Sequence, residues 1–162
     1  MICLKCSREY LPETEYCDQC NFLLTGEKKY GSHFMQLVRA SEEMLNDEIT
    51  APLYQVVIEN MERIIDKMET AIEEEYSAPD LKETPPEVKK VLDQVLASSR
   101  ESITTYRLAL LELKKYIEDE DKEHIRNGLP LAEKASDLLE LSREMSEYAA
   151  SRLEEFGREA LN

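Results

Sequence analysis

A chain of 162 residues, 42% of them hydrophobic, has room for one ordinary domain plus a small appendage and enough apolar mass for a core. Its formal charge of −15 repels nucleic-acid phosphates and anionic lipid, which argues against general nucleic-acid or membrane-surface roles and favours basic or neutral protein partners. No apolar run reaches the ~18 residues of a membrane span and no secretory leader opens the chain, so the expected setting is cytoplasmic.

All four cysteines fall in the first 20 residues, as Cys3-x2-Cys6, ten further residues, and Cys17-x2-Cys20. In a reducing compartment such thiols read as metal ligands rather than as two disulfides. Two residues between paired cysteines let a tight turn aim both sulfurs at one ion, and two such turns close a tetrahedron. Four thiolates suit Zn2+ in softness and geometry, whereas the chain's two histidines, His33 and His124, lie away from the cluster. The reading is one structural Zn2+ per chain held by Cys3, Cys6, Cys17 and Cys20. With four protein ligands, no position is left for water or substrate, so the site is not catalytic. The intervening SREYLPETEY is long enough for a short β-hairpin, with Leu11-Pro12 near its turn and Tyr10 and Tyr16 packed over the metal knuckles.

With Tyr16 ahead of the second pair and Leu24 behind it, residues 2–24 resemble the zinc-ribbon family. Ser7 and Asn21 stand where that family usually carries glycine, and its frequent Leu-Pro sits about one residue late. The resemblance implies a small metal-stabilised module for protein or nucleic-acid contacts; it does not imply an enzyme. Three rivals compete for the same cysteines. A rubredoxin-like iron site would want glycines and aromatics around its knuckles, and a redox Cys-x-x-Cys would want a helix start in a βαβ setting. Unligated thiols would leave the segment with almost no core, a deficit that zinc binding, worth roughly 10 to 16 kcal/mol, removes.

Residues 25–32, TGEKKYGS, read as a linker between a zinc ribbon over 1–24 and an acidic helical bundle over 33–162. Residues 1–31 carry four Lys/Arg against five Asp/Glu; the remainder therefore carries sixteen against thirty, a net of −14. Ser32 is the expected N-cap of a first helix, with Phe34, Leu37, Val38, Met44 and Leu45 on its apolar face, running to about Asp47. Thr50 and Pro52 restart the chain, and a second helix follows to about Tyr76 with the stripe Leu53, Val56, Val57, Met61, Ile64, Ile65, Met68 and Ile72. Three prolines in SAPDLKETPPEV break helicity; Thr84 and Glu87 have the spacing of a capping box, with Pro85 in the first helical position. The third helix carries Val88, Val91, Leu92, Val95, Leu96, Ile103, Tyr106, Leu110, Leu113 and Ile117, and spans roughly 50 Å at 1.5 Å per residue. After a corner at EDEDKE (118–123), a fourth helix holds Ile125, Leu129, Ala132, Leu139, Met145, Ala149, Leu153 and Phe156, kinked rather than broken at Gly128 and Pro130.

The expected fold is mostly α: the ribbon, then an antiparallel four-helix bundle with two long helices. Small residues Ala97, Ser98, Ser99, Ser102 and Ala109 permit close helix approach, within the chain in a monomer or across a homodimer seam. Neither histidine has the Glu-x-x-His spacing of a di-iron site, and no phosphate loop, nucleophile elbow or zinc-protease motif is present. His124 reads as a residue at the bundle edge. The acidic runs Glu73–Glu75 and Glu118–Glu123 read as solvated surface, with capture of a cation or basic partner as the alternative. The leading functional expectation is a non-enzymatic adaptor, ribbon and helical body docking a protein partner. The alternatives are a nucleic-acid-associated factor using Lys5, Arg8, Lys28 and Lys29 on phosphates, or a thiol and zinc redox sensor.

Overall fold

The computed structural model describes residues 31–76 and 84–159, together with Gln19; the four cysteines and the hairpin expected between them lie outside the described residues. Four helices follow one another: α1 (Ser32–Leu45), α2 (Ala51–Tyr76), α3 (Pro86–Asp119) and α4 (Lys122–Glu159). Among the described residues the regular structure is all helical, and no helix is long and apolar enough to cross a membrane.

Two helix starts are displaced from their expected caps. α1 begins at Ser32 itself with Gly31 in the cap position, so the serine hydroxyl makes no capping bond. α3 begins at Pro86, with Pro85 as its cap at φ −52° and ψ 141° and Thr84 one residue outside. A proline disfavours helical geometry in the residue before it, so Pro86 takes the first helical position and holds Pro85 extended; the Thr84–Glu87 capping box does not form. The corner to α4 is two residues, Glu120 in the left-handed region (φ 61°) and Asp121. Asp121 caps α4: its Oδ1 accepts from the Glu123 N–H at 2.9 Å, which satisfies a donor that α4 cannot satisfy itself. α4 then continues through Gly128 and Pro130 as one helix.

Side-chain pairs fix the directions. Glu62 meets Lys114 whereas Asp66 and Glu69 meet Arg107, so rising numbers on α2 face falling numbers on α3. Likewise Ser142 of α4 bonds Ser99 and Val95 of α3, and Ala135 bonds Ser102. Both pairs are antiparallel. α1 packs on α2 and α4, closing the ring. The core takes Phe34, Leu37 and Met44 from α1, Tyr54, Ile58, Met61 and Ile65 from α2, Ile103, Tyr106, Leu110, Leu113 and Tyr116 from α3, and Ile125, Ala132 and Ala135 from α4.

At the start of α2 the buried face differs from the expected stripe. Leu53 and Val56 are exposed, and Tyr54 and Ile58 are wholly buried instead. The reason is a partner for the phenol: Tyr54 Oη lies 2.8 Å from Ser41 Oγ of α1, and its ring packs edge-on to Tyr116 with centroids 5.9 Å apart. Ser41 also donates to the Leu37 carbonyl at 2.8 Å, so its hydroxyl oxygen is the acceptor for the tyrosine proton. Burial pushes the Tyr54 phenol up to about 12, against a smaller downward pull from the Ser41 hydroxyl.

The α3/α4 seam is built from small side chains. Ser99, Ser102 and Ala109 of α3 are buried against α4, as expected from their size, while Ala97 stays exposed. Ser102 donates to the Ala135 carbonyl at 2.6 Å, and Ser99 donates to Ser142, which donates in turn to the Val95 carbonyl at 3.1 Å. Gly128 completes the seam: a Cβ there would stand 2.6 Å from Leu113 Cδ2 and 3.2 Å from the Ala109 carbonyl. Hydroxyls thus serve as interhelical struts where larger apolar groups would hold the helices apart.

Candidate functional site

The predicted metal ligands Cys3, Cys6, Cys17 and Cys20 lie outside the described residues. Among the described residues no group of three or more His, Cys, Asp or Glu side chains is arranged to hold a metal ion, and every buried side-chain polar atom has a hydrogen-bond partner. Two features stand out among the described residues, a charged corner and a groove.

The corner lies where α3 turns into α4. His124 Nδ1 is 2.8 Å from Glu112 Oε1 and Nε2 is 3.0 Å from Asp119 Oδ2, so the ring bridges two carboxylates of α3 from the first turn of α4. Only the doubly protonated ring can donate to both at once. Glu112 first, and Asp119 after it, therefore raise the His124 pKa. Lys115, ahead of His124, holds Glu112 below the usual carboxylate range; for Asp119 the Asp121 N–H at 2.9 Å does the same. Beside this cluster Lys122 donates to the Leu45 carbonyl at 2.9 Å and to Asp47 at 2.7 Å, tying the α1–α2 corner to the start of α4. The acidic run Glu118–Glu123 is thus only partly free surface: Asp119 and Asp121 organise the turn. His33 is exposed, at the start of α1.

The groove runs along the outer seam between α2 and α3. Its larger section, an open cavity of about 370 Å³, has Ile65 and Leu110 beside the exposed leucines Leu108 and Leu111, with Lys114 paired to Glu62 at 2.6 Å. A second section of about 210 Å³ continues past Thr104 to Ile72, Glu73 and Arg100. Arg107 crosses between the helices to Asp66 at 2.9 Å and Glu69 at 2.5 Å. From Arg100 to Lys114 is fourteen residues of α3, about 21 Å of groove. Leu108 and Leu111 are 53% and 59% exposed, so the helix presents apolar surface on the side away from its core. The sequence pattern did carry a signal for this: both leucines fall off the main α3 stripe, and Arg107 and Lys114, seven residues apart, match the acidic spacing of Glu62, Asp66 and Glu69 on α2.

No family model, curated protein or solved structure matches the chain.

Proposed function

We propose that the chain is a non-enzymatic, zinc-binding interaction protein of the cytoplasm, in which an N-terminal four-cysteine ribbon and an acidic helical body together dock a protein partner. The observation that carries the reading is the paired Cys-x2-Cys spacing at Cys3, Cys6, Cys17 and Cys20. Four thiolates saturate a tetrahedral ion, and a saturated zinc builds a rigid surface in a segment too short to build one from its own apolar residues. The helical body supports the same reading from the other side. Its charged clusters act as struts at corners and seams, and its exposed leucines lie on an outer groove rather than in a closed pocket suited to a small substrate.

The test is elemental analysis of protein purified without added metal, followed by pull-down with the full chain and with a C3S/C6S variant. One zinc per chain, lost in the variant together with the captured partner, is the expected result. Iron in place of zinc, or a partner set unchanged in the variant, would remove the ribbon from the function.

A further inference from the structure

We infer that residues 1–30 seat on the outer face of α4, with Phe22, Leu23 and Leu24 over Leu141 and with Lys28 and Lys29 crossing the acidic row beside it. The inference rests on the reading above only in taking residues 1–24 as one metal-held module, and it gives that module a fixed place on the bundle. Burial comes first. Leu141 is 5% exposed, yet it is not part of the bundle core. α4 packs on α3 and α1, and neither accounts for it. Ser142 faces α3 through its bonds to Ser99 and Val95, and Leu141 lies about 100° round the helix from it. Leu138 and Met145, about one turn away on either side, are only partly buried. α1 stops short: Leu45 lies beside Lys122, and fourteen helical residues bring the start of α1 to the level of about residue 136 on α4. Because the burial arises within one chain, the cover is another stretch of the same chain.

Length and direction select the stretch. Residues 1–30 join α1 at Gly31, at that same level, and Leu141 is about 7.5 Å further along α4. Residues 25–30 span about 20 Å when extended, enough to carry the module round to that face. The nine residues between Tyr76 and Pro86 start instead from α2, the helix diagonal to α4, and have the offset between the end of α2 and the start of α3 to span. The three after Glu159 begin about 27 Å beyond Leu141. Chemistry agrees with the first of these. Phe22, Leu23 and Leu24 follow the last cysteine by one residue, and consecutive side chains of an extended segment point to opposite sides, so a small module cannot turn all three inward. Over 133–147 α4 carries Glu133, Asp137, Glu140, Glu144 and Glu147 against Lys134 and Arg143, and the five acids recur at helical spacing on one face. Arg143 pairs with Glu140 and Glu147, and Lys134 with Glu101 of α3. Residues 25–31 bring Lys28 and Lys29 against Glu27 alone. None of Glu133, Asp137 and Glu140 lacks an interaction of its own, so the two lysines enter a net acidic field and do not fill a vacancy. Burial first, and then Glu140, raise the Glu144 pKa above the ordinary carboxylate value against the pull of Arg143, as a covered face requires.

The experiment treats the dilute full chain with a carbodiimide, which joins a lysine amine to a carboxylate in contact with it, and maps the links by mass spectrometry. Links from Lys28 or Lys29 to α4 between Glu133 and Glu147, in chains of monomer mass, are the expected result. Trypsin then probes the apolar contact: cutting after Lys28 and Lys29 should be about tenfold faster in L141S than in the native chain, since the burial of one leucine is lost. Circular dichroism checks that L141S keeps its helices. No such link, links spread equally over the acids of α2, links confined to dimers, or equal cutting of the two chains each overturn the inference. Elemental analysis of the same sample keeps it apart from the ribbon: zinc without the link removes the seat and leaves the ribbon, and the link without zinc removes the ribbon and leaves the seat.

Discussion

His124 shows how one side chain acquires a pH dependence from its place at a corner. Glu112 and Asp119 stand at 2.8 and 3.0 Å from its two ring nitrogens, so loss of one proton must break one of the two bonds. Its folded pKa lies above the ordinary histidine value, with Glu112 the larger cause. A group shifted this way stabilises the fold fully below the unfolded histidine pKa and loses that contribution as pH rises through the folded one. The two carboxylates run the other way: both are held low, and their contribution is lost only as pH falls through their folded values. The clamp is therefore strongest in mildly acidic solution. Thermal melts taken from pH ~6 to ~8.5 should show a decline in Tm for the native chain that is flattened in H124Q. Equal slopes in the two proteins would mean that the ring carries no net interaction with its neighbours.

At the scale of the helix, the α3/α4 pair depends on the absence of side-chain volume. Gly128 would ordinarily be a weakness inside α4, and replacing it by alanine should gain about 1 kcal/mol of helix propensity. Its surroundings decide against that gain. The added methyl would meet Leu113 Cδ2 at 2.6 Å, Leu113 Cγ at 2.7 Å and the Ala109 carbonyl at 3.2 Å, and Leu113 is a wholly buried core side chain that would have to shift among its packed neighbours. Overpacking of this kind costs roughly 1 to 3 kcal/mol, so G128A should lower stability by about 1 kcal/mol net, read as a reduced urea midpoint with little change in slope. A midpoint equal to or above the native one would show that the seam has slack. The element scale is also where sequence and structure can be compared most directly. The four helices, their order and the burial of Ser99, Ser102 and Ala109 are legible because period and residue size report on packing within one helix. The rotation of α2 that buries Tyr54 is not, because it depends on Ser41 of another helix supplying the acceptor. The start of α3 turned on which of two adjacent prolines takes the first turn, a choice that the Thr84 and Glu87 spacing obscures. The groove needed both walls at once: Leu108 and Leu111 stand out on α3 alone, but only the antiparallel register against α2 places Glu62, Asp66 and Glu69 opposite their cations.

Taken as a whole, the molecule balances many local ion pairs against an excess of like charge. Exposed pairs such as Arg39–Glu43 and Arg126–Glu123 sit on single helices, where each contributes little and is weakened by salt. Against them stands the mutual repulsion of a body with thirty acidic and sixteen basic residues, a net of −14 over 32–162, which acts between charges on all four helices. The two effects respond to salt with opposite sign, and their number and range decide the balance. A helix pair loses a small, local attraction, whereas screening relieves repulsion across the entire surface once the Debye length drops from about 10 Å at 0.1 M to about 3 Å at 1 M. Each carboxylate left over after pairing is repelled by the other unpaired ones on its own and neighbouring helices. Raising sodium chloride from ~0.05 to ~0.5 M should therefore raise Tm by several degrees, and charge-reversing substitutions to lysine at exposed, unclustered acidic sites such as Asp93 should reproduce part of that gain at low salt. A Tm that falls with salt would mean that the interhelical pairs of Arg107, Lys114 and Lys122 outweigh the net charge, and that the fold is held at its seams by attraction rather than loosened across its surface by repulsion.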